Sequence, residues 1–366
     1  MKRIVDKFIL EGEYVSSKPY GNGHINDTYI ISYNKKGKLK YYILQRINHY
    51  VFKNVDQLMD NFVRVTDYIY KKLILDDRNP YRGVLNVIPT KDGKYYCYDV
   101  ETDKYYRLLT YIENSTSLEV VDNAEVFERV GKAFGDFQNL LKDFDITNLY
   151  ETIPNFHNTK VRYQNFINAL NINEFDRAKT CKEEIDFVTS RKELCNIIVD
   201  LIEEKKIPLR VTHNDTKANN ILIDKDTLET LCVVDLDTIM PGSILYDFAD
   251  SIRFGCNTAN EDEQDLSKVK FSIENFEAYT KGFLGETKDN MNSFEKANII
   301  NACKIITLEC GMRFLTDYLE NDKYFKIHRE NHNLDRCRTQ FKLVLEMEKY
   351  TDILESIVNK YLWKSG

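Results

Sequence analysis

Hydrophobic positions along this chain follow two different periods, and the change between them divides it. In the N-terminal part they come in short, β-rich runs separated by turn residues. Phe8–Leu10 and Tyr14–Val15 open the pattern, a Gly-containing turn covers Pro19–Asp27, and Thr28–Tyr33 and Tyr41–Ile47 flank an Asn34–Gly37 turn. Apolar residues at 55, 58, 59, 62, 65, 69 and 73 then have helical spacing. Gly83–Ile88 and Tyr95–Val100 flank a Lys91-Asp-Gly-Lys94 turn and predict a hairpin, and Tyr105–Ile112 predicts a last strand. After the polar stretch Glu113–Ser117, a candidate hinge, the period becomes helical. Val126, Val130, Phe134, Phe137, Leu140 and Leu141 mark an amphipathic helix over 123–142. Residues 144–163 read as an irregular loop, and helices are predicted near 163–170, 182–205, 272–284, 293–320 and 334–361, with a strand at Leu209–Thr212. The expected fold is therefore α+β with two lobes: a small antiparallel-sheet lobe over 1–113 and a larger, mostly helical lobe over 114–366.

Composition narrows the chemistry. The 366 residues are 43% hydrophobic, enough for a sizeable core. A formal net charge of -7 argues against a nucleic-acid partner or an anionic membrane surface, although one bound nucleotide needs only a local positive site. No apolar run reaches the length of a membrane span, and Met1–Phe8 lacks a signal-peptide core. The eight cysteines show no paired or metal-ligand spacing, which suits reduced thiols and a cytoplasmic location.

The strongest chemical signal is His213-Asn-Asp-Thr-Lys-Ala-Asn-Asn220, an H-x-D-x-x-x-x-N loop, followed by Ile221–Ile223, a turn at Asp224–Asp226, and a strand ending at Asp235. That spacing is the layout of a kinase-type phosphoryl-transfer site. Asp215 would orient a substrate hydroxyl and accept its proton, while Asn220 and Asp235 would hold Mg against the phosphates of ATP. Lys217 stands where a point charge could reach the transferred phosphoryl group, and Asp237 is either a further metal ligand or a brace for one. His213 suits bracing the loop better than chemistry. In the N-terminal lobe, Gly21-Asn22-Gly23 would bring backbone N–H groups to phosphate. No G-x-x-x-x-G-K-[ST] run occurs, which disfavours a P-loop nucleotide site.

These stretches resemble the aminoglycoside phosphotransferase-type small-molecule kinases, which share the protein-kinase fold. Tyr20–Thr28, Leu44–Asn48, Pro154–His157, His213–Asn220, Val234–Gly242, Tyr246–Gly255 and Gly311–Leu319 are similar to the N-acetylhexosamine 1-kinases within that group, and they span nearly the whole chain. The resemblance implies a protein-kinase-like fold, ATP and Mg as cofactors, and phosphorylation of the anomeric hydroxyl of GlcNAc or GalNAc. It also implies that Asp247 steadies the catalytic loop and that Arg313 and Tyr324 bind the sugar, with His157 and His24 as further candidates.

One departure from the kinase pattern stands out. The usual strand lysine is missing from Ile43-Leu-Gln-Arg46, so Arg46 is the candidate in its place, with Leu44 lining the adenine pocket and Asp60 as the helix partner. Glu309, Arg313 and Asp317, at i, i+4 and i+8, otherwise read as a surface ion-pair ladder, and Asp250 with Arg253 as an i,i+3 pair. Two other functions remain open at this stage: a kinase of the same fold acting on an aminoglycoside, choline or homoserine, and a catalytically weak nucleotide-binding regulator.

Overall fold

The structure, a computed structural model, describes residues 1–21, 26–118 and 123–363, and the chain forms two compact units. The first is built from Met1–Leu118, Asp143–Pro154 and Asn220–Pro241, and the second from Glu119–Lys142, Asn155–Asn219 and Gly242–Gly366. The predicted boundary at 113 lies close to the end of the first unit's longest segment, but two later segments return to that unit. The α+β class expected from the hydrophobic pattern is the one found, with antiparallel strands in the N-terminal region and helices after it.

In the first unit, strands β1 (Glu13–Pro19), β2 (Asp27–Lys35), β3 (Lys38–Ile47), β4 (Val87–Ile88), β5 (Cys97–Asp99) and β6 (Lys104–Thr110) form one antiparallel sheet. Its order is β1-β2-β3-β6-β4, with β5 also on β6. Alternation along β3 and β6 buries Leu44 and Leu108 with Ile31 in one core, while Ile47 packs with Phe52, Val55, Leu58 and Met59 in another. Burying each such side chain contributes about 1.5–3 kcal/mol. Helix α1 (Val55–Leu75) starts at Asn54, whose side chain accepts the Gln57 amide, and turns its apolar stripe inward.

The expected hairpin over 83–100 is not formed. Its turn is present, with Gly93 donating to the Thr90 carbonyl at 2.9 Å. Its two strands, however, lie end to end on β6, β4 against Leu108–Leu109 and β5 against Lys104–Tyr106. β6 is long enough to pair with both along one edge, so each satisfies its backbone there instead of with the other. The candidate hinge is likewise structured, because β7 (Ser115–Ser117) pairs with Leu222–Asp224 of a hairpin formed by Ile221–Asp224 and Thr230–Val233.

The second unit is helical. Helix α2 (Ala124–Leu140) packs tightly on α5 (Ile273–Thr287), and a Cβ at Gly131 would stand 2.4 Å from the Tyr279 carbonyl oxygen, so only glycine permits this approach. Helix α6 (Ile299–Leu319) runs through the core and packs against α3 (Thr159–Ile172), α4 (Ile244–Gly255) and α7 (His332–Lys349). Helix α8 (Thr351–Trp363) follows. Three predicted helices prove to be interrupted: 182–205 breaks at a 3-10 turn over Lys192–Asn196, 293–320 at Asn298, and 334–361 at Tyr350. No helix among the described residues is long and apolar enough to cross a membrane. All eight cysteines are free thiols.

Candidate functional site

Strand Arg210–Thr212 delivers the His213–Asn220 loop, and in the second unit one face of α4 holds that loop in shape. Asp247, fully buried in the first turn of α4, accepts the backbone N–H groups of His213 at 2.9 Å and Asn214 at 2.8 Å, and the Gln138 amide at 2.6 Å. Burial pushes its carboxyl up, and His213, the two amides and Gln138 pull it back without overcoming that penalty. One turn on, Asp250 accepts the Thr216 amide at 3.0 Å, while Ser251 donates to the Thr216 carbonyl at 2.7 Å. Asp250 also pairs with Arg253 at 2.9 Å, so it does more than the predicted i,i+3 pair. His213 is buried edge-on against Phe134 and Phe137, and its Nδ1 accepts the Asp215 amide at 3.2 Å. His213 and Asp247 are thus placed as braces. Asn214 is held at φ +64°, a left-handed conformation that costs about 1 kcal/mol and is offset by the Asp247 clamp.

Within that frame Asp215 remains partly exposed and meets Lys217 Nζ at 2.9 Å. Burial raises the Asp215 carboxyl, but Lys217, then His213 and Arg253, outweigh it, so its pKa lies below the ordinary value. Lys217 also lies over the Phe254 ring at 4.8 Å.

In the first unit, Asn220 and Asp235 flank the mouth of one hairpin. Ile221 is registered opposite Val233, and Val234 donates to the Asn220 carbonyl at 2.8 Å, which draws the chain on either side together. Asp235 sits at φ +60°, strained for a residue with a Cβ. An amide oxygen and a carboxylate on adjacent backbone are hard donors that fit Mg.

Asp237 does not extend this donor set. It is buried, with Oδ1 in an ion pair with Arg107 and Oδ2 accepting from Asn26 at 2.5 Å. With both oxygens engaged it braces the segment instead of facing a metal. Arg107 is 1% exposed. It also donates to Gln45 Oε1 from Nε and Nη2 at 2.9 and 2.8 Å, and its guanidinium lies 4.6 Å from the Phe62 ring centre. Sequence reasoning missed this buried cation, although a lone Arg inside the apolar strand Tyr105–Ile112 was a usable signal.

The predicted Arg46–Asp60 pair is corrected too. Arg46 lies directly opposite Asp27 on β2 and pairs with it at 2.6 Å, while Asp60 pairs at i,i+4 with Arg64 at 2.7 Å. Leu44 is 0% exposed and belongs to the sheet core, so it lines no open pocket in this structure. Gly21 has φ +71°, where glycine is favoured. Asn22, Gly23 and His24 lie outside the described residues.

A second cluster in the helical unit gathers around Glu309, which is 1% exposed. His157 Nδ1 contacts its carboxylate at 3.1 Å, and Arg162 and Arg313 each approach to 4.0 Å. Burial raises the Glu309 carboxyl, but His157, Arg313 and Arg162 together hold it below the ordinary range. The expected surface ladder is therefore an interior charge cluster, because α6 is packed on several sides. Arg162 spends its donors on the Phe156 carbonyl, at 3.2 Å from Nε and 2.9 Å from Nη2. Arg313 lies 5.6 Å from the centres of both the Phe156 and Phe325 rings, and beyond its 4.0 Å approach to Glu309 it makes no hydrogen bond among the described residues. His157 packs on Tyr246 of α4 at 5.1 Å, and its buried Nε2 has no partner among the described residues. Helix α4 thus touches both this cluster and the catalytic loop. Tyr324 is 67% exposed beside Phe325.

Comparison with known proteins agrees with the fold. A model described as the phosphotransferase enzyme family matches residues 16–271. Among solved structures, a microcompartment-associated aminopropanol kinase is similar at 14% identity and TM-score 0.57, with 93% of each chain covered. An ethanolamine kinase from Plasmodium vivax matches at 14% identity and TM-score 0.56, covering 89% of this chain and 82% of that one. An aminoglycoside phosphotransferase from Alicyclobacillus acidocaldarius matches at 12% identity and TM-score 0.58, covering 99% and 96%. At these identities the likeness is one of fold.

Proposed function

From the premise that the chain belongs to the phosphotransferase enzyme family, we propose that it transfers the γ-phosphoryl group of ATP to the anomeric hydroxyl of a neutral N-acetylhexosamine. In this reaction the hydroxyl oxygen forms a bond to the γ-phosphorus, the bond from that phosphorus to the bridging oxygen breaks, and ADP leaves with the electron pair. Asp215 orients the hydroxyl and takes its proton. Asn220 and Asp235 would hold Mg, which when bound supplies charge neutralisation at the phosphates. Asp247, Asp250 and His213 keep the loop in the shape that Asp215 needs.

The observation that carries the sugar reading is the cluster around Glu309. Two guanidiniums face one carboxylate, each at 4.0 Å, and Arg313 makes no closer hydrogen bond among the described residues. The similar enzymes are named for aminopropanol, ethanolamine and an aminoglycoside, all cations near neutral pH. A cluster with this excess of positive charge repels such an acceptor. Hydroxyl and acetamido oxygens of a neutral sugar, by contrast, are acceptors that a planar guanidinium can bridge, with Tyr324 offering its ring to the apolar face of the pyranose.

ADP release with Mg-ATP is the direct test, against GlcNAc, GalNAc, glucose, galactose, kanamycin, choline and homoserine. N-acetylhexosamine-dependent turnover with an acid-labile phosphate in the product supports the 1-kinase. Turnover with another alcohol alone discards the sugar and retains the phosphotransferase. In the active pair, Arg313→Ala should raise acceptor KM by roughly 10–10²-fold, as expected for losing hydrogen bonds from a charged donor. An unchanged KM removes Arg313 from the acceptor site.

Asp215 adds a pH prediction. It must be ionised to accept a proton, so activity is present above its pKa and lost below it. Lys217 is the largest influence lowering that pKa, and burial opposes it. Lys217→Met should therefore move the acid limb of kcat/KM to higher pH, and a limb that stays in place would sink this assignment.

A further inference from the structure

A guanidinium binds a ligand at less cost when its plane is already fixed, and that of Arg313 has two rings, Phe156 and Phe325, at 5.6 Å. One turn beyond Arg313 on α6 stands Asp317, 3% exposed. Its carboxylate does not face solvent or a cation. Oδ1 accepts the backbone N–H of Tyr324 at 2.7 Å, and Oδ2 accepts that of Phe325 at 2.9 Å and the Asn333 amide at 2.9 Å. Asn333 also donates to Asp322 at 2.8 Å, and Arg177 holds Asp322 at 2.6 Å. The chain between has Asn321 at φ +70° and Asp322 at φ +57°, two successive left-handed residues of the types that adopt this conformation most readily after glycine.

The purpose of this fixation appears in what residues 324 and 325 do next. The Phe325 ring packs on Phe314 at 4.7 Å and flanks the Arg313 guanidinium, with Phe156 at the same distance from it. Tyr324 stands beside Phe325, its ring exposed. A carboxylate in the last turn of a helix finds only unsatisfied carbonyls on its own helix and cannot cap them. Asp317 instead spends both oxygens on a separate segment, and that segment supplies one of the two rings beside the Arg313 donor fork.

We infer that Asp317 is a positioning residue for the acceptor: by fixing Tyr324 and Phe325 it sets the plane of Arg313, and so the geometry in which a sugar is bound. This rests on the acceptor role proposed above for Arg313. It adds a buried carboxylate that does not touch the acceptor and still governs affinity for it. Misplacing a contact by about 1 Å can cost roughly 10²-fold in kcat/KM, so the effect is expected to be large.

The test compares Asp317→Asn with Asp322→Asn. Asn at 317 turns an N–H₂ group toward a backbone N–H and releases one of the two amides. Asn at 322 weakens the same turn through Arg177 but leaves the 324 and 325 amides on Asp317. Asp317→Asn should raise acceptor KM by roughly 10–10²-fold. Its ATP KM should stay near wild type, and Asp322→Asn should leave both constants near wild type. Equal effects of the two variants would reduce Asp317 to a structural residue. The acceptor constant is taken with whichever alcohol the wild type phosphorylates, so loss of the hexosamine reading does not decide this question. A second measurement needs no acceptor. The Arg313 Nε–H resonance of ¹⁵N-arginine-labelled protein, assigned by its disappearance in Arg313→Lys, should shift in Asp317→Asn and not in Asp322→Asn. Should Asp317→Asn fail to fold, Phe325→Leu removes the flanking ring with the carboxylate staple intact. It should reproduce both changes, and an unmoved Arg313 resonance or acceptor KM overturns the inference.

Discussion

Replacing Asp215 by Asn is expected to lower kcat by roughly 10³-fold while ATP binding and folding persist, because general-base assistance contributes about 10²–10⁴-fold. Asn keeps the volume of Asp and retains an oxygen that can accept from Lys217, which lies at 2.9 Å in the native protein. What it lacks is the capacity to take a proton. The loop around it should keep its shape, since the bonds from Asp247, Asp250 and His213 to its backbone remain in place. Asp215→Ala separates the two parts of the role. A loose, largely dissociative transition state releases the hydroxyl proton late, so orientation of the acceptor carries part of the effect. Asn preserves some orientation and Ala none, so Ala should be the slower enzyme. The measurements are single-turnover rates and nucleotide affinity for each variant. Full activity in Asp215→Asn would remove this residue from the mechanism, and weakened nucleotide affinity in step with kcat would point to a disturbed loop.

The course of the His213–Asn220 segment and of the hairpin after it was readable in advance because its information is local. Asp215, Asn220 and Asp235 are placed by spacing along a strand–turn–strand segment, and short-range spacing survives folding. The bracing of His213 and Asn214 by Asp247 was visible only through resemblance, since nothing in the interval from 214 to 247 says that they meet. The failures share a different cause. Arg46 was assigned to Asp60 because one is on a strand and the other on the next helix. The actual partner, Asp27, is decided by β2–β3 register, which no periodicity encodes. The strands of the expected 83–100 hairpin were recognised as strands, yet both chose the edge of β6. Strand character is local and strand pairing is not. Glu309, Arg313 and Asp317 have the same i,i+4 spacing whether α6 is exposed or enclosed. Enclosure, a property of the helices around it, turned a ladder worth a few tenths of a kcal/mol per pair into a buried cluster. Asp237 was ambiguous for a related reason. Two carboxylates at the end of one strand look alike until one of them is seen to have spent both oxygens on Arg107 and Asn26.

That last contact leads to the largest stability effect expected in the chain. Arg107→Met should destabilise the first unit by about 3–5 kcal/mol, the usual cost of leaving one member of a buried ion pair uncompensated. Met retains much of the apolar stem against Phe62, so the loss isolates the charge and not the packing. Asp237 would keep only Asn26 as a partner, and Gln45 Oε1 would lose both of its donors. The double variant Arg107→Met with Asp237→Leu removes both charges, and it should recover most of the loss, since an apolar pair of similar volume often replaces a buried ion pair at little cost. Urea unfolding of the two variants and the wild type, followed through the first unit's transition, measures this directly. A single variant within about 0.5 kcal/mol of wild type, the range typical of surface substitutions, would mean that Asp237 is not held as a buried ion. The same comparison reaches function. Asp235 lies two residues before Asp237 and is strained at φ +60°. If the Arg107–Asp237 pair holds that conformation, the double variant should regain stability and still require more Mg than wild type for half-maximal rate. Recovery of both together would show that the strain at Asp235 is held by its own hairpin, through the Val234–Asn220 bond at 2.8 Å, and not by the buried pair.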